Sequence, residues 1–271
     1  MKEKNKFITN ETLRFHQESL LKHLLLLEEL NSDLPNKKDS QSIMFSMLTW
    51  PMIESMQSLL ILSEHGKLRD CFALARMVFE LGLNIGYLSS KGDEAIQSAI
   101  KHAHQKSYRD LNRTLEIGDI KIFVGLTNIG KVKVSDQLKE AIDSFTTKKG
   151  KESNSWSTDS VYKKLEVITE KHGIGAGTAM AMASYSIYRH SSEILHGTIF
   201  GSMFALGLTQ LRNEWPTNDK SKMDYISSEI SLLLHVLTLH CNCVAKIILY
   251  HYPNEKLEKL RDELSHNLSP N

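Results

Sequence analysis

Helix breakers are scarce in this chain. Five prolines and 14 glycines are spread through 271 residues, so long periodic segments run without interruption, and apolar positions repeating in such segments close most readily into long helices. Leu13, Leu20, Leu24 and Leu27 recur at helical spacing behind the start signals Asn10 and Thr12, predicting a first amphipathic helix over about residues 10–31 that the NSDLPNKKDS loop ends. A second helix is expected over about 40–65, with Pro51 inside it as a kink or break and Gly66 closing it, and a third over about 67–89. Further helices are expected over about 93–115, from Ser157, Thr158 or Asp159 to Gly173, over about 177–196 against Gly197, and over about 219–250, with a short polar one after Pro253. Between them lie an irregular stretch at about 118–134, with the β-like run Ile120 to Val124, and a linker at about 146–156. The expected fold is all-α, a helical bundle with additional helices. It is organised as an N-terminal helix and loop (about 1–40), a bundle domain (about 41–252) and a polar C-terminal tail (about 253–271).

Charge and composition narrow the function classes. Hydrophobic residues make up 41%, enough for a core, and 33 basic against 32 acidic residues leave no global field for nucleic acid, so any such contact has to be local. The N-terminus lacks an apolar core of the kind a signal peptide needs. The most membrane-like segment, Ser231 to Tyr250, is interrupted by His235, His240, Asn242 and Lys246 and reads as a buried helix, so no membrane partner is expected. Cys71, Cys241 and Cys243 read as reduced thiols of a cytoplasmic protein.

Chemistry concentrates between residues 185 and 196. Tyr185, Arg189, Ser192 or Glu193, and His196 follow one another at steps of three or four and so share one helix face. The Cα atoms of Arg189 and His196 are then about 10.5 Å apart, a span suited to gripping two parts of one phosphodiester. Guanidinium holds a phosphate bidentately as charge builds, and imidazole moves protons near neutral pH. The competing reading is structural, with Arg189 and Glu193 as an i, i+4 ion pair and His196 closing the helix end. On the third helix Arg76, Glu80 and Asn84 stand one turn apart, as a structural ion pair or as support for the Arg189/His196 face, and Gly82 and Gly86 permit close approach of another helix.

Three other patterns carry less. Gly125 to Val132 nearly spells a phosphate-binding loop, but Val132 stands where a metal-binding hydroxyl is required. Glu193-x-x-His196 and Glu263-x-x-His266, with Glu54 and Glu80, have the spacing of a di-iron bundle, although Glu263 lies in a polar tail. His235, His240, Cys241 and Cys243 point in different directions on one helix. The basic residues between 101 and 113 and Lys148, Lys149 and Lys151 read as solvated surface, or as a guide for RNA.

The run Arg189-His190 followed by His196 resembles the Arg-polar-x-His motif of the HEPN ribonucleases, with a six-residue gap at the long end of that pattern. Trp156-Ser157 to Ser160-Val161, then Tyr185, Tyr188-Arg189, Ser192-Glu193 and His196-Gly197, resemble a large bacterial family of uncharacterised helical proteins, whose members also carry a helix like Arg76 to Glu80. This second resemblance covers roughly residues 45–250. The HEPN likeness implies a dimer of helical bundles that cuts RNA without metal or cofactor, often as a toxin or antiphage effector. Arg189 would hold the phosphate, His196 would act as acid/base, His190 would assist, and an antitoxin or regulatory protein would be a further partner. The alternative function is a non-catalytic helical interaction or dimerisation module.

Overall fold

The computed structural model describes residues 10–125, 134–153, 155–208 and 219–268. It is mostly helical, as expected, and the chain divides into two compact units, residues 1–90 with 161–271 and residues 91–160. The near phosphate-binding loop lies almost wholly outside the described residues.

In the first unit, α1 (Glu11–Asp33) starts at Asn10, whose side-chain oxygen accepts from the Thr12 amide at 2.9 Å. Leu13, Leu20, Leu24 and Leu27 all lie on its buried stripe. α2 (Ser40–Glu64) is capped by Asp39 and runs unbroken through Pro51. Gly66 at φ 62° ends it, with the Lys67 amide donating back to the Leu62 carbonyl at 3.0 Å. α3 (Leu68–Lys91) follows.

The remaining helices of this unit are α6 (Val161–His172), α7 (Ile174–Ala183), α8 (Arg189–Leu195), α9 (Ile199–Ala205), α10 (Asp219–His251) and α11 (Glu255–His266). α10 is the central post, packed by α1 and α7. α3 and α10 come close because Gly82 has no side chain: a Cβ there would stand 2.2 Å from His240 Nε2. Gly86 performs the same service against Ile168 of α6 and Met180 of α7. Both glycines thus do what their spacing predicted. α3 and α10 are long and apolar enough to cross a membrane, and most of the apolar window of each is buried inside the fold.

The second unit contains α4 (Asp93–Asp110), the antiparallel hairpin β1 (Asn112–Ile117) and β2 (Ile120–Gly125), and α5 (Asp136–Ser144). The helix expected to reach residue 115 stops at Asp110. β-branched and aromatic residues from Ile117 to Phe123 favour a pleated ribbon, and Gly118 at φ 57° supplies the first position of a tight two-residue turn. The linker-like stretch is a turn closed by a Thr146–Glu152 bridge. Several of the basic residues between 101 and 113 are engaged inside this unit: Lys101 pairs with Glu140 at 2.6 Å, Arg109 donates to Gln105 and Thr146, and Arg113 of β1 pairs with Asp110 and Glu152.

Candidate functional site

The segment expected as one helix over 177–196 is three pieces. Gly173 at φ 86° starts α7 early, and Ser184–Tyr188 then makes a π-helical turn before α8 resumes α geometry at Arg189. A π turn carries one residue more than the α repeat allows, and such turns recur at functional sites. Tyr188, its last residue, stands three residues after Tyr185 and next to Arg189, and all three line one wall.

That wall borders a groove of about 740 Å³ between α6, which contributes Val161, Tyr162 and Leu165, and the run from Ala181 to Glu193, which contributes Tyr185, Tyr188, Arg189, Ser192 and Glu193. Tyr162 and Tyr185 are 79% and 68% exposed, so two aromatic faces are presented to solvent at its edge. A second hollow of about 560 Å³ shares Tyr162, Leu165 and Ala181 and continues along α6 and α7 to Ile174.

Arg189 is exposed, with its guanidinium carbon 6.0 Å from the centre of the Tyr185 ring. Among the described residues it makes no ion pair. Glu193, its expected i, i+4 partner, instead accepts a 2.7 Å hydrogen bond from the Thr198 hydroxyl, which also receives the Gly201 amide. This holds α8 and α9 at a tight corner where a Cβ on Gly201 would come within 2.5 Å of the Glu193 carbonyl oxygen. The structural ion-pair reading of Arg189 therefore fails, and the acid works as a brace for the chain turn.

Arg76 and Glu80 do form an ion pair, at 2.8 Å, and it is only partly buried. The Arg76 guanidinium lies 4.5 Å over the Tyr188 ring and so backs the groove through that tyrosine. Asn84 accepts from Lys164 Nζ of α6 at 3.0 Å, which ties α3 to the opposite wall.

The two histidines of the motif part company. His190 packs inward, its ring stacked 4.6 Å from Phe204 and its Nδ1 donating to the Ser186 carbonyl at 3.0 Å, so it is a packing residue and does not line the groove. His196 is the last residue before Gly197 at φ 65°, exposed at the end of α8 and outside the groove lining. The apolar side chains of Leu195, Ile199 and Phe200 around it are 53%, 81% and 44% exposed.

Among the described residues no three His, Cys, Asp or Glu side chains group as a metal site. The di-iron arrangement does not assemble: Glu54, Glu263 and His266 are all exposed on separate helices from Glu193. His235 faces His16 at 5.1 Å, His240 is buried against Phe79, Cys241 meets Met56, and Cys243 meets the Ala176 carbonyl. All three cysteines are unbridged and buried, and burial raises the Cys71 and Cys243 thiols to about 12.

The site residues that the sequence reading left out are Tyr162, Tyr188 and Thr198. Tyr188 stood beside Arg189 in the resemblance, three residues after Tyr185, a spacing that α periodicity also places on the shared face. Tyr162 belongs to a helix distant in sequence, and no local pattern could join it to Tyr185.

The model of one protein family, described as a family of unknown function, matches residues 43–209, a span that takes in α2, α3, α6, the groove and the α8–α9 corner. Comparisons with curated proteins and with solved structures return no match. Because the match covers more than half of the chain and contains every groove residue named above, the protein belongs to this family, DUF5677.

Proposed function

We propose that the protein is a metal-independent endoribonuclease of HEPN type. The observation that carries this reading is Arg189: an arginine with no acidic partner among the described residues, on the wall of a solvent-open groove edged by exposed tyrosines. A nucleobase stacks on a tyrosine face, and a guanidinium without a carboxylate is available to a phosphate. In the reaction, His196 removes the proton from the ribose 2′-hydroxyl, the 2′-oxygen bonds to phosphorus, and the P–O5′ bond breaks. The products are a 2′,3′-cyclic phosphate and a 5′-hydroxyl, the latter protonated by the imidazolium. Arg189 offsets the charge on the non-bridging oxygens.

His196 stands apart from the Arg189 groove in one chain, and the exposed apolar strip at Leu195, Ile199 and Phe200 beside it suits burial against a second copy. A homodimer is therefore part of the proposal. A role as a toxin or antiphage effector, in the cytoplasm and under a partner's control, rests on the resemblance of Arg189, His190 and His196 to the HEPN motif. The same strip favours the second reading, a dimerisation module without catalysis.

Cleavage of a mixed RNA pool in EDTA separates the two. Wild type cuts, and Arg189→Ala and His196→Ala each lose about 10²-fold or more while staying folded. His190→Phe, which keeps the ring on Phe204, retains cutting. Equal behaviour of wild type, Arg189→Ala and His196→Ala rejects the nuclease in favour of the module.

A further inference from the structure

Away from the groove, in the same unit, two histidines converge on one serine. Ser89 Oγ of α3 lies 2.8 Å from His172 Nε2 and 2.7 Å from His251 Nε2. Ser89 is 3% exposed, and the two rings are partly exposed with centres 6.3 Å apart. His172 is the last residue of α6, His251 the last of α10, and Gly173, at φ 86°, is the hinge into α7. The cluster thus ties to α3 and α10 the helical hairpin whose two arms border the groove.

A hydroxyl has one hydrogen to donate and two lone pairs, so its hydrogen is used within the cluster when the rings hold opposite tautomers: one Nε2 accepts from Oγ, and the other donates to it. A first extra proton enters the donating ring at Nδ1 and leaves both bonds intact. A second must enter the accepting Nε2. The oxygen then accepts from two N–H donors through its two lone pairs, its own hydrogen is turned out of the cluster, and two imidazolium charges stand side by side.

We propose that the His172–Ser89–His251 cluster is a pH-operated clasp on the α6–α7 hairpin, closed while it carries at most one extra proton and released at the Gly173 hinge by the second. The surroundings oppose that second charge. α6 presents Lys171 next to His172, and α10 presents Lys246 and Tyr250, with Lys171 Nζ 5.7 Å over the Tyr250 ring. From the start of α2, Asp39 is the acid that acts on His251, and it is engaged by the Tyr252 hydroxyl at 2.7 Å and by the Ser42 amide. Phe45 of α2 covers the His251 ring, and α3 contributes Ser89 itself. In agreement, burial first, then His251, Lys171 and Lys246, bring His172 down to about 4, while burial and Lys171 lower His251 against a weaker pull from Asp39.

The test is backbone hydrogen exchange over residues 172–178, normalised to α1, at about pH 7.5 and about pH 4. Wild type opens about tenfold more readily in acid, the equivalent of one pKa unit of coupling. His172→Gln, whose amide still bonds the hydroxyl but gains no proton, shows no acid response. Ser89→Ala is open already at the higher pH. An acid response of wild-type size in His172→Gln, no acid response in wild type, or full protection in Ser89→Ala would each overturn the clasp. The readout is the hinge itself, so its outcome is independent of whether the groove takes RNA.

Discussion

Gly82→Ala sets two physical effects against each other with opposite signs. On helix propensity alone the change stabilises α3 by about 1 kcal/mol. Packing reverses the sign, because the new methyl would stand 2.2 Å from His240 Nε2 and 2.8 Å from Val244 Cγ2. Ordinary contact begins at about 3.5 Å, so the imidazole must retreat by more than an ångström. It has nowhere open to go: His240 is fully buried and its ring lies 5.5 Å from Phe79. Overpacking of this kind costs about 1–3 kcal/mol, with this clash at the upper end, leaving a net loss of about 2 kcal/mol after the propensity gain. For a chain of this size that lowers Tm by roughly 4–8 °C, read by circular dichroism at 222 nm. His240→Ala opens room for the methyl, so the double variant loses less than the sum of the single ones, with a coupling of about 1 kcal/mol or more. A Tm for Gly82→Ala at or above wild type refutes the close-approach argument, and strict additivity refutes the role of His240 in it.

Acid destabilises this protein beyond what carboxylate protonation produces. Burial lowers His240 from 6.5 to about 4, and lowers His16, His23 and His235 in the same direction, so the unfolded chain takes up these protons first. Their contribution is complete above about pH 6.5 and is lost as pH falls toward 4. For the fully buried His240 this amounts to about 3 kcal/mol, and His240→Phe flattens the Tm profile across that window; an unchanged profile rejects the assignment. Cys71, Cys241 and Cys243 stay unalkylated by iodoacetamide at about pH 8 in the folded protein and react together on unfolding, because burial disfavours every thiolate; fast labelling of any one in the native state counts against its placement.

The helices could be read from residue order because their information is local. Leucines at 13, 20, 24 and 27, the Asn10 start signal and the stops at Gly66, Gly173 and Gly197 act within a few residues of one another, and all are found where the sequence places them. Gly82 and Gly86 marked a close approach but not its partners. What residue order could not supply is the geometry that depends on elements far apart in the chain. Arg113, counted to the helix over 93–115, lies on β1 and finds Glu152, 39 residues on, as well as Asp110. The π turn at Ser184–Tyr188 broke the α repeat ahead of Arg189, and Thr198 took the carboxylate of Glu193 that i, i+4 spacing had given to Arg189. Periodicity put Arg189 and His196 on one stripe, but it could not see that the stripe is bent at its start and that His196 ends up outside the groove. Local propensity and capping are therefore decided by sequence neighbours, whereas the partners of a side chain are decided by which distant helix fills the space beside it, and only the tertiary structure makes that choice.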